Sequence, residues 1–263
     1  AEYTYDNQGQ LTTAKVNGKN YSYTYDTYGN IRKAVEDGVT HTYTYGDSTW
    51  GDRLTAYDGT PIYYDDIGNP ETYYNGTSYA FTWQGRQLTT ATKGGVTYSF
   101  TYNDEGIRTS NSSNGNTTTY YYSAGLLIAE SNNSRTFVYI YDAEGSPLGM
   151  RIRNHGQTSV WNTYWFEKNI QGDIIALYAS NGDKLMSFKY DAWGKVTQTL
   201  HYAALQHSVQ TSPFLYRGYY YDVDLNLYVT GTRCYDPAIG RFINADGYVS
   251  TGQGIVGNNM FAY

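Results

Sequence analysis

Aromatic and polar side chains alternate along most of the chain in short runs that end in turn-forming residues. Residues 3–6 read Tyr-Thr-Tyr-Asp, and residues 23–26 repeat the same four letters at an offset of 20 positions. Successive side chains of a β-strand point to opposite faces, so Tyr-x-Tyr places both rings on one face. The alternation therefore predicts strands with a tyrosine-bearing face.

The runs end in Asp or Asn, with Gly three residues later, as at Asp6 and Gly9 or Asp26 and Gly29. Such an Asp carboxylate can accept hydrogen bonds from backbone N–H groups inside the turn, and Gly adopts the positive φ that the turn requires. The residues after Gly begin a returning strand. One unit of the repeat therefore predicts about one β-hairpin.

Further copies of this unit, some of them degenerate, occur at residues 43–47, 63–69, 82–86, 101–107, 139–145 and 188–196. A single hairpin cannot bury its own apolar face, so we expect consecutive hairpins to stack edge to edge in a long antiparallel sheet. Strand twist should curve that sheet into a spiral or a wall. The predicted fold is all-β, with little helix.

Two segments interrupt the alternation. Residues 109–119 are polar and turn-prone, and we expect them to form a long hairpin tip, with a flexible linker as the alternative. Residues 201–212 lack strand alternation, and within them residues 203–207 are compatible either with one helical turn or with irregular chain.

Composition supports a strand-rich fold, because 33 of the 263 residues are Tyr and 28 are Gly. The net charge is −6 and no run of Lys or Arg forms a basic patch, which excludes electrostatic binding of nucleic acid or of an anionic membrane. No apolar run approaches the roughly 20 residues that span a bilayer. The first residues already belong to a repeat unit, so we expect a segment of a longer protein with any export signal outside it.

No metal or cofactor site is predicted. The histidines have no carboxylate or cysteine beside them at ligand spacing: His41, His155, His201 and His207. The Asp-x-x-Gly turns offer too few oxygens for calcium. Cys234, the single cysteine, cannot form an internal disulfide, and we expect it to be a small buried residue.

The repeat ends before residues 217–246, which follow a pattern of their own. Two Tyr-rich strands should flank a turn at residues 222–226. A second turn should follow at residues 237–240, before the short apolar run Phe242-Ile243. We expect this stretch to cap the sheet.

The spaced Tyr-Asp units and this terminal motif together resemble the Rhs, or YD-repeat, family and its Rhs-associated core domain. The motif residues are Arg217, Gly218, Tyr221, Asp222, Arg233, Tyr235, Pro237 and Gly240. The resemblance covers the whole chain. It predicts a hairpin wall over residues 1–200 and a core domain, at the end of the shell, over residues 201–263.

The resemblance implies a secreted or cell-surface bacterial protein of the polymorphic toxin type. In that family a shell of YD hairpins encloses the protein's own C-terminal toxin domain, which is therefore the expected partner. The family also includes the C component of insecticidal Tc complexes and the animal teneurins. We expect a mainly structural role, and leave enzymatic activity open.

Bacterial members often cut their own chain after the core domain, and aspartates of the core are held responsible. The resemblance makes Asp246 the first catalytic candidate, with Asp236 or Asp224 as the second carboxyl group if the fold brings them together. Arg241 could orient a carboxylate, or could instead hold backbone carbonyl groups. Gly247 stands where many members have Pro, and the chain ends before the Asp-Pro-x-Gly segment after which the family cuts.

A third function is open, because rows of exposed tyrosine rings can stack on carbohydrate, and some YD-repeat proteins are credited with carbohydrate binding. The presence of only five Trp argues against aromatic cages for cations. The unpaired strand edges of a hairpin sheet also favour edge-to-edge self-association.

Overall fold

The computed structural model describes residues 1–156, 160–201, 212–247 and 259–263. These residues form 25 β-strands and one short 3-10 helix, Tyr216–Gly218, so the all-β prediction is confirmed. In this part of the chain no helix has the length and apolar character needed to cross a membrane. The helical turn considered for residues 203–207 lies outside the described residues.

The chain divides into two compact units, which we describe separately. Unit 1 comprises Ala1–Gly95, Tyr190–Lys195 and Arg233–Tyr263. Unit 2 comprises Val96–Lys189 and Val196–Thr232.

Unit 1 contains a seven-stranded antiparallel sheet whose strands pair in chain order. Its strands are β1 (Glu2–Tyr5), β2 (Leu11–Val16), β3 (Lys19–Tyr25), β4 (Ile31–Glu36), β5 (Val39–Thr44), β6 (Ala56–Tyr57) and β7 (Thr60–Pro61). Four more strands of this unit also pair antiparallel in chain order: β8 (Tyr63–Tyr64), β9 (Pro70–Tyr74), β10 (Ser78–Gln84) and β11 (Gln87–Lys93).

Unit 2 continues the same plan with ten strands in chain order. They are β12 (Val96–Tyr102), β13 (Arg108–Ser113), β14 (Asn116–Ser123), β15 (Leu126–Ser131), β16 (Arg135–Tyr141), β17 (Pro147–Asn154), β18 (Asn162–Lys168), β19 (Ile174–Ala179), β20 (Lys184–Tyr190) and β21 (Val196–Leu200). The terminal motif supplies one hairpin to each unit: β22 (Tyr220–Asp222) with β23 (Leu227–Val229) in unit 2, and β24 (Cys234–Asp236) with β25 (Arg241–Phe242) in unit 1.

The cores of both units lie on the tyrosine-bearing face of the strands. In β10, Tyr79 and Phe81 are buried, while Ala80 between them is exposed. In β18, Tyr164 is buried and the next residue, Trp165, is 44% exposed. Period-two alternation therefore sorts the side chains as predicted, and repeat tyrosines such as Tyr23, Tyr43 and Tyr79 contribute to the core.

The Asp-x-x-Gly turn has the predicted geometry. The Asp26 Oδ1 atom accepts hydrogen bonds from the backbone N–H groups of Tyr28 (2.9 Å) and Asn30 (3.0 Å), and Gly29 has φ of 80°. The same two side-chain bonds occur at Asp6, Asp65, Asn103, Asp142, Asn169 and Asp191. Each such turn satisfies N–H groups that have no partner in the strands.

The prediction of a long hairpin tip at residues 109–119 was wrong. Most of this segment lies in β13 and β14, which pair directly from Ser110 opposite Thr119 to Ser113 opposite Asn116. Only residues 114–115 form the turn, with φ of 48° at Asn114 and 76° at Gly115. Hydroxyl groups bond across the strands, as between Ser112 and Thr117 (2.8 Å), so polar side chains are compatible with pairing here.

The turn at residues 65–69 offers a test with a matched control. Asp65 accepts bonds from two backbone N–H groups and from the Asn69 amide, whereas the neighbouring Asp66 is exposed. We expect Asp65→Ala to lower the free energy of unfolding by about 1–3 kcal/mol, because those donors lose a charged acceptor. Asp66→Ala should change it by less than about 0.5 kcal/mol.

Urea denaturation followed by circular dichroism measures both values. Equal effects of the two substitutions would show that the turn is not stabilised by the side-chain acceptor.

Candidate functional site

The first half of the terminal motif packs inside unit 2. Residues 214–216 are buried, and the Leu215 carbonyl accepts a hydrogen bond from the Ile174 N–H group (3.1 Å). The Arg217 N–H group donates to Asp173 Oδ1 (2.9 Å), and Gly218 has φ of 69°. This segment is therefore bonded to the turn that precedes β19 and to its first residue.

Asp222 ends β22 and carries a buried ion pair. Its Oδ2 atom lies 3.1 Å from Arg108 Nη1, and the two side chains are only 3% and 6% exposed. Its Oδ1 atom accepts a hydrogen bond from the Leu225 N–H group (3.1 Å), which closes the predicted turn at residues 222–226. Asp224 lies exposed in that turn. Removal of either ionic partner would leave the other charge buried without compensation.

Glu130 is a second buried acid in unit 2, and the sequence analysis did not identify it. It accepts a hydrogen bond from the Tyr220 hydroxyl (2.8 Å), and its burial raises its pKa to about 7. The pairing of β14 with β15 places Glu130 opposite Tyr120, so Glu130 shares the buried face with that ring. Only this strand register would have indicated that Glu130 is buried. The strand assignment alone could not supply this pairing.

The second half of the motif packs inside unit 1, where Asp236 is fully buried. Its Oδ2 atom accepts hydrogen bonds from the Tyr73 hydroxyl (2.7 Å) and the Asn75 amide (2.6 Å). Its Oδ1 atom accepts one from the Ala238 N–H group (2.8 Å). Burial raises the pKa of Asp236, and the three donors partly oppose that effect. The arrangement suits a structural carboxyl group that binds the hairpin to β9.

Arg241 is buried in unit 1. It donates to the Tyr45 hydroxyl and to the Asp52 carbonyl, both at 2.5 Å, and its guanidinium lies over the rings of Tyr45 and Phe261. In this structure it therefore holds a backbone carbonyl and two aromatic rings. Its role toward a catalytic carboxylate stays a prediction.

Tyr235 and Gly240 pack against Trp193 in the same unit. The Tyr235 hydroxyl donates to the Trp193 carbonyl (2.7 Å). Gly240 has φ of 69°, and a Cβ atom there would lie 2.8 Å from the Trp193 ring. Only glycine therefore fits this turn, which also contains the buried Pro237.

Asp246 is more accessible than the other acids of the motif in unit 1. Its carboxylate lies 3.2 Å from the Arg233 guanidinium, and its side chain is 38% exposed. The Arg233 guanidinium also lies over the Phe242 ring at 3.6 Å. Arg86 donates to the carbonyl of Ala245, the residue before Asp246 (2.8 Å). A charged carboxylate thus lies at the surface with an arginine beside it.

The structure brings Asp246 and Arg233 into contact, although the sequence analysis assigned Arg233 only to the motif. Asp236 has its own set of donors, and Asp224 belongs to unit 2. The catalytic roles of Asp246, Asp236 and Asp224 therefore stay predictions. The 13-residue separation of Arg233 and Asp246 gave no sign of their contact, which depends on how the chain turns between them.

Over the residues that the structure describes, no group of three or more His, Cys, Asp or Glu side chains is placed to hold a metal ion. Cys234 is buried, as expected. His41 lies 2.7 Å from Asp58, a contact between β5 and the turn after β6 that sequence spacing did not reveal.

Comparison with known proteins agrees with this architecture. The family model of the teneurin YD-shell matches residues 1–253. The chain belongs to the teneurin YD-shell family. The predicted resemblance to YD-repeat shells is thereby confirmed.

This YD-shell chain is similar in sequence to bacterial proteins named WapA. It is 33% identical over 100 residues to the tRNA3(Ser)-specific nuclease WapA of Bacillus spizizenii, which covers 38% of this chain and 4% of the relative. It is 35% identical over 83 residues to the tRNA(Glu)-specific nuclease WapA of Bacillus subtilis subsp. natto, covering 32% and 3% respectively. The YD-shell chain thus spans only a small part of these relatives.

Two solved structures share the fold of this YD shell. A Photorhabdus luminescens Tc holotoxin pore has a TM-score of 0.70 at 17% identity, over 99% of this chain and 14% of that one. The complex TcdB2-TccC3-TEV has a TM-score of 0.63 at 17% identity, over 99% of this chain and 16% of that one. At this identity the likeness concerns the fold alone, and again the chain spans a small part of the larger protein.

The environments of Asp236 and Asp246 predict effects of substitution on stability that differ in size. Asp236→Ala should lower the free energy of unfolding by about 3 kcal/mol, because the Tyr73 hydroxyl and the Asn75 amide lose a buried acceptor. Asp246→Asn should lower it by less than about 1 kcal/mol, since its ion pair is partly exposed. Chemical denaturation of the two variants measures the difference.

A loss of similar size in both variants would contradict the assignment of Asp236 as a buried structural group and Asp246 as an accessible one.

Proposed function

We propose that this chain is part of a shell that encloses the C-terminal toxin domain of the same secreted or cell-surface bacterial protein. In this proposal residues 1–200 supply wall and residues 201–263 supply the plug at one end. One observation carries it: a buried ion pair and buried hydrogen bonds to a carboxyl group join the terminal motif to the hairpins. Arg108 with Asp222 does so in unit 2, and Asp236 with Tyr73 does so in unit 1.

Those contacts suit a container. A wall resists proteases when its backbone groups are paired and its closing segment rarely detaches. In each unit the hairpins pair antiparallel in chain order, and the motif hairpin is joined to them through groups that are costly to separate. A flexible appendage would not need buried ionic contacts.

The relatives support the proposal that the shell encloses a toxin domain. Proteins named as WapA nucleases share sequence with this chain, and Tc toxin complexes share its fold. We infer a toxin domain as the enclosed partner, held as part of the same polypeptide. The identity of that domain is set outside this segment.

Protease protection of the full-length protein tests the proposal. Thermolysin should leave the C-terminal domain intact in the wild type. In Arg108→Ala, where Asp222 is left as an unpaired buried charge, that domain should be cut about tenfold faster or more. Arg151→Ala removes an exposed arginine and serves as the matched control.

The proposal would be wrong if the C-terminal domain of the wild type were digested as fast as the same domain produced alone. It would also be wrong if both arginine variants retained full protection.

Self-cleavage is a second candidate function, and the Arg233–Asp246 contact favours it. The guanidinium can orient the Asp246 carboxylate, as a base for water requires. Water would add to the scissile carbonyl while the carboxylate takes its proton. A second carboxyl group would then protonate the departing amine, and Asp236 and Asp224 stay the candidates for it.

Self-cleavage predicts two bands for the full-length wild type on a denaturing gel and a single band for Asp246→Asn. Arg233→Gln should slow cleavage by about tenfold or more, because the carboxylate loses its orienting charge. Glu167→Gln, on β18 of unit 2, is the control and should be cut normally. An intact wild type, or an Asp246→Asn variant cut at the normal rate, would contradict the peptidase role without affecting the shell.

A carbohydrate-binding surface has less support. Several tyrosines of the repeats lie in the core, as do Tyr23, Tyr43 and Tyr79, and these rings are not available to stack on carbohydrate. Isolated rings such as Tyr28 and Tyr63 remain exposed, at 66% and 62%. Carbohydrate binding therefore stays a prediction.

A further inference from the structure

Glu130 is a buried acid whose side-chain hydrogen-bond partners are tyrosine hydroxyl groups. It belongs to β15 and is 8% exposed, on the face that otherwise carries tyrosine rings. Among the described residues no Lys, Arg or His side chain forms an ion pair with it. An ionised carboxylate is costly in such a place, whereas a neutral carboxyl group is tolerated.

The partner of Glu130 is the hairpin β22–β23 of the terminal motif. The Tyr220 hydroxyl lies 2.8 Å from Glu130 Oε2, and the Tyr220 ring packs edge-on against Tyr120 (5.8 Å) and Phe214 (6.1 Å). The Glu130 carboxyl group therefore lies at the contact between the terminal motif and β14 to β16. Its charge state acts on the docking of that hairpin.

The groups that face Glu130 do not neutralise it. Tyr120 on β14, Tyr139 on β16 and Tyr220 on β22 contribute hydroxyl groups. Asp222 on β22 is an acid, and its charge disfavours ionisation of Glu130. The positive charge of Arg108 on β13 is paired with Asp222.

A cavity of about 400 Å³ adjoins this contact and gives the site space for water. Glu130, Tyr220 and Asp222 line it, together with Arg135 of β16 and the exposed Asp224 of the turn. A proton can therefore be exchanged with solvent next to Glu130 without unfolding of the sheet.

We propose that Glu130 and Tyr220 form a proton-controlled latch, which holds hairpin β22–β23 on strands β14 to β16 in acidic solution and weakens as the pH rises to neutrality. In the acidic state the neutral Glu130 carboxyl group shares a hydrogen bond with Tyr220. In the alkaline state the carboxylate carries a charge that detachment of the hairpin exposes more fully to water. The latch does not depend on the presence of a toxin domain.

The direction of the effect follows from the pKa of Glu130. Burial raises it to about 7 in the docked state, against an ordinary value of 4.5 when the side chain is solvated. Between these values the docked state binds more protons than the detached state. Docking is therefore most favourable at low pH, and the advantage is lost as the pH rises through 7.

Hydrogen exchange measured by mass spectrometry on the whole chain tests the latch. The protection factor of residues 220–229, corrected for intrinsic exchange, should fall about tenfold between pH 6 and pH 8. In Glu130→Gln the neutral side chain cannot ionise, and the factor should stay constant. Asp191→Asn is the matched control, because Asp191 of unit 1 is a partly buried acid whose pKa is also raised, to about 6. The Asp191→Asn variant should still show the tenfold fall in the protection factor of residues 220–229.

A constant factor in the wild type, or a tenfold fall that persists in Glu130→Gln, would overturn the proposal. If Glu130→Gln does not fold, carbon-13 NMR of glutamate-labelled wild type decides. A Glu130 carboxyl that titrates near 7 supports the latch, and one that titrates near 4.5 rules it out.

Discussion

Buried hydroxyl groups of tyrosine are the constraint on which this structure depends. The core face of these hairpins carries tyrosine rings, and each phenolic oxygen that is buried with its ring needs a hydrogen-bond partner. Purely apolar segments packed on this face would leave the hydroxyls unsatisfied. Any segment that packs on this face must therefore form contacts that give these hydroxyl groups their acceptors.

The terminal motif and the hairpins supply these acceptors to each other: Asp236 lies in the motif, whereas Glu130 and the Trp193 carbonyl lie outside it. Tyr73 donates to Asp236, Tyr220 donates to Glu130, and Tyr235 donates to a backbone carbonyl. Buried acids are ordinarily costly, but a surface rich in hydroxyl donors lowers that cost. The unusual tyrosine content and the buried carboxyl groups therefore depend on each other, because the hydroxyl groups donate and the carboxyl groups accept. These matched pairs make the terminal motif specific for the hairpins that it contacts.

The acids of the motif differ in their burial and in their partners. Asp236 and Asp222 have their partners inside the protein, and their role follows from packing. Asp246 has one charged partner and access to solvent, which are the conditions for chemistry. In the proposed shell, the buried contacts would serve closure, and the accessible carboxylate would serve self-cleavage if that second proposal holds.

The sequence determined the hairpins by itself, because strand alternation and the Asp-x-x-Gly turn depend on neighbours within a few residues. Asp26, for example, accepts hydrogen bonds from the backbone of Tyr28 and Asn30, which lie only two and four residues later. The local pattern gave a wrong prediction at residues 109–119, because hydroxyl bonds between the strands allow this polar run to form paired strands. The Arg233–Asp246 contact, the bond from Tyr73 to Asp236 and the placement of Glu130 opposite Tyr120 were decided only by the tertiary structure. They join residues on separate strands and turns, and no spacing along one chain specifies which distant faces will pack together.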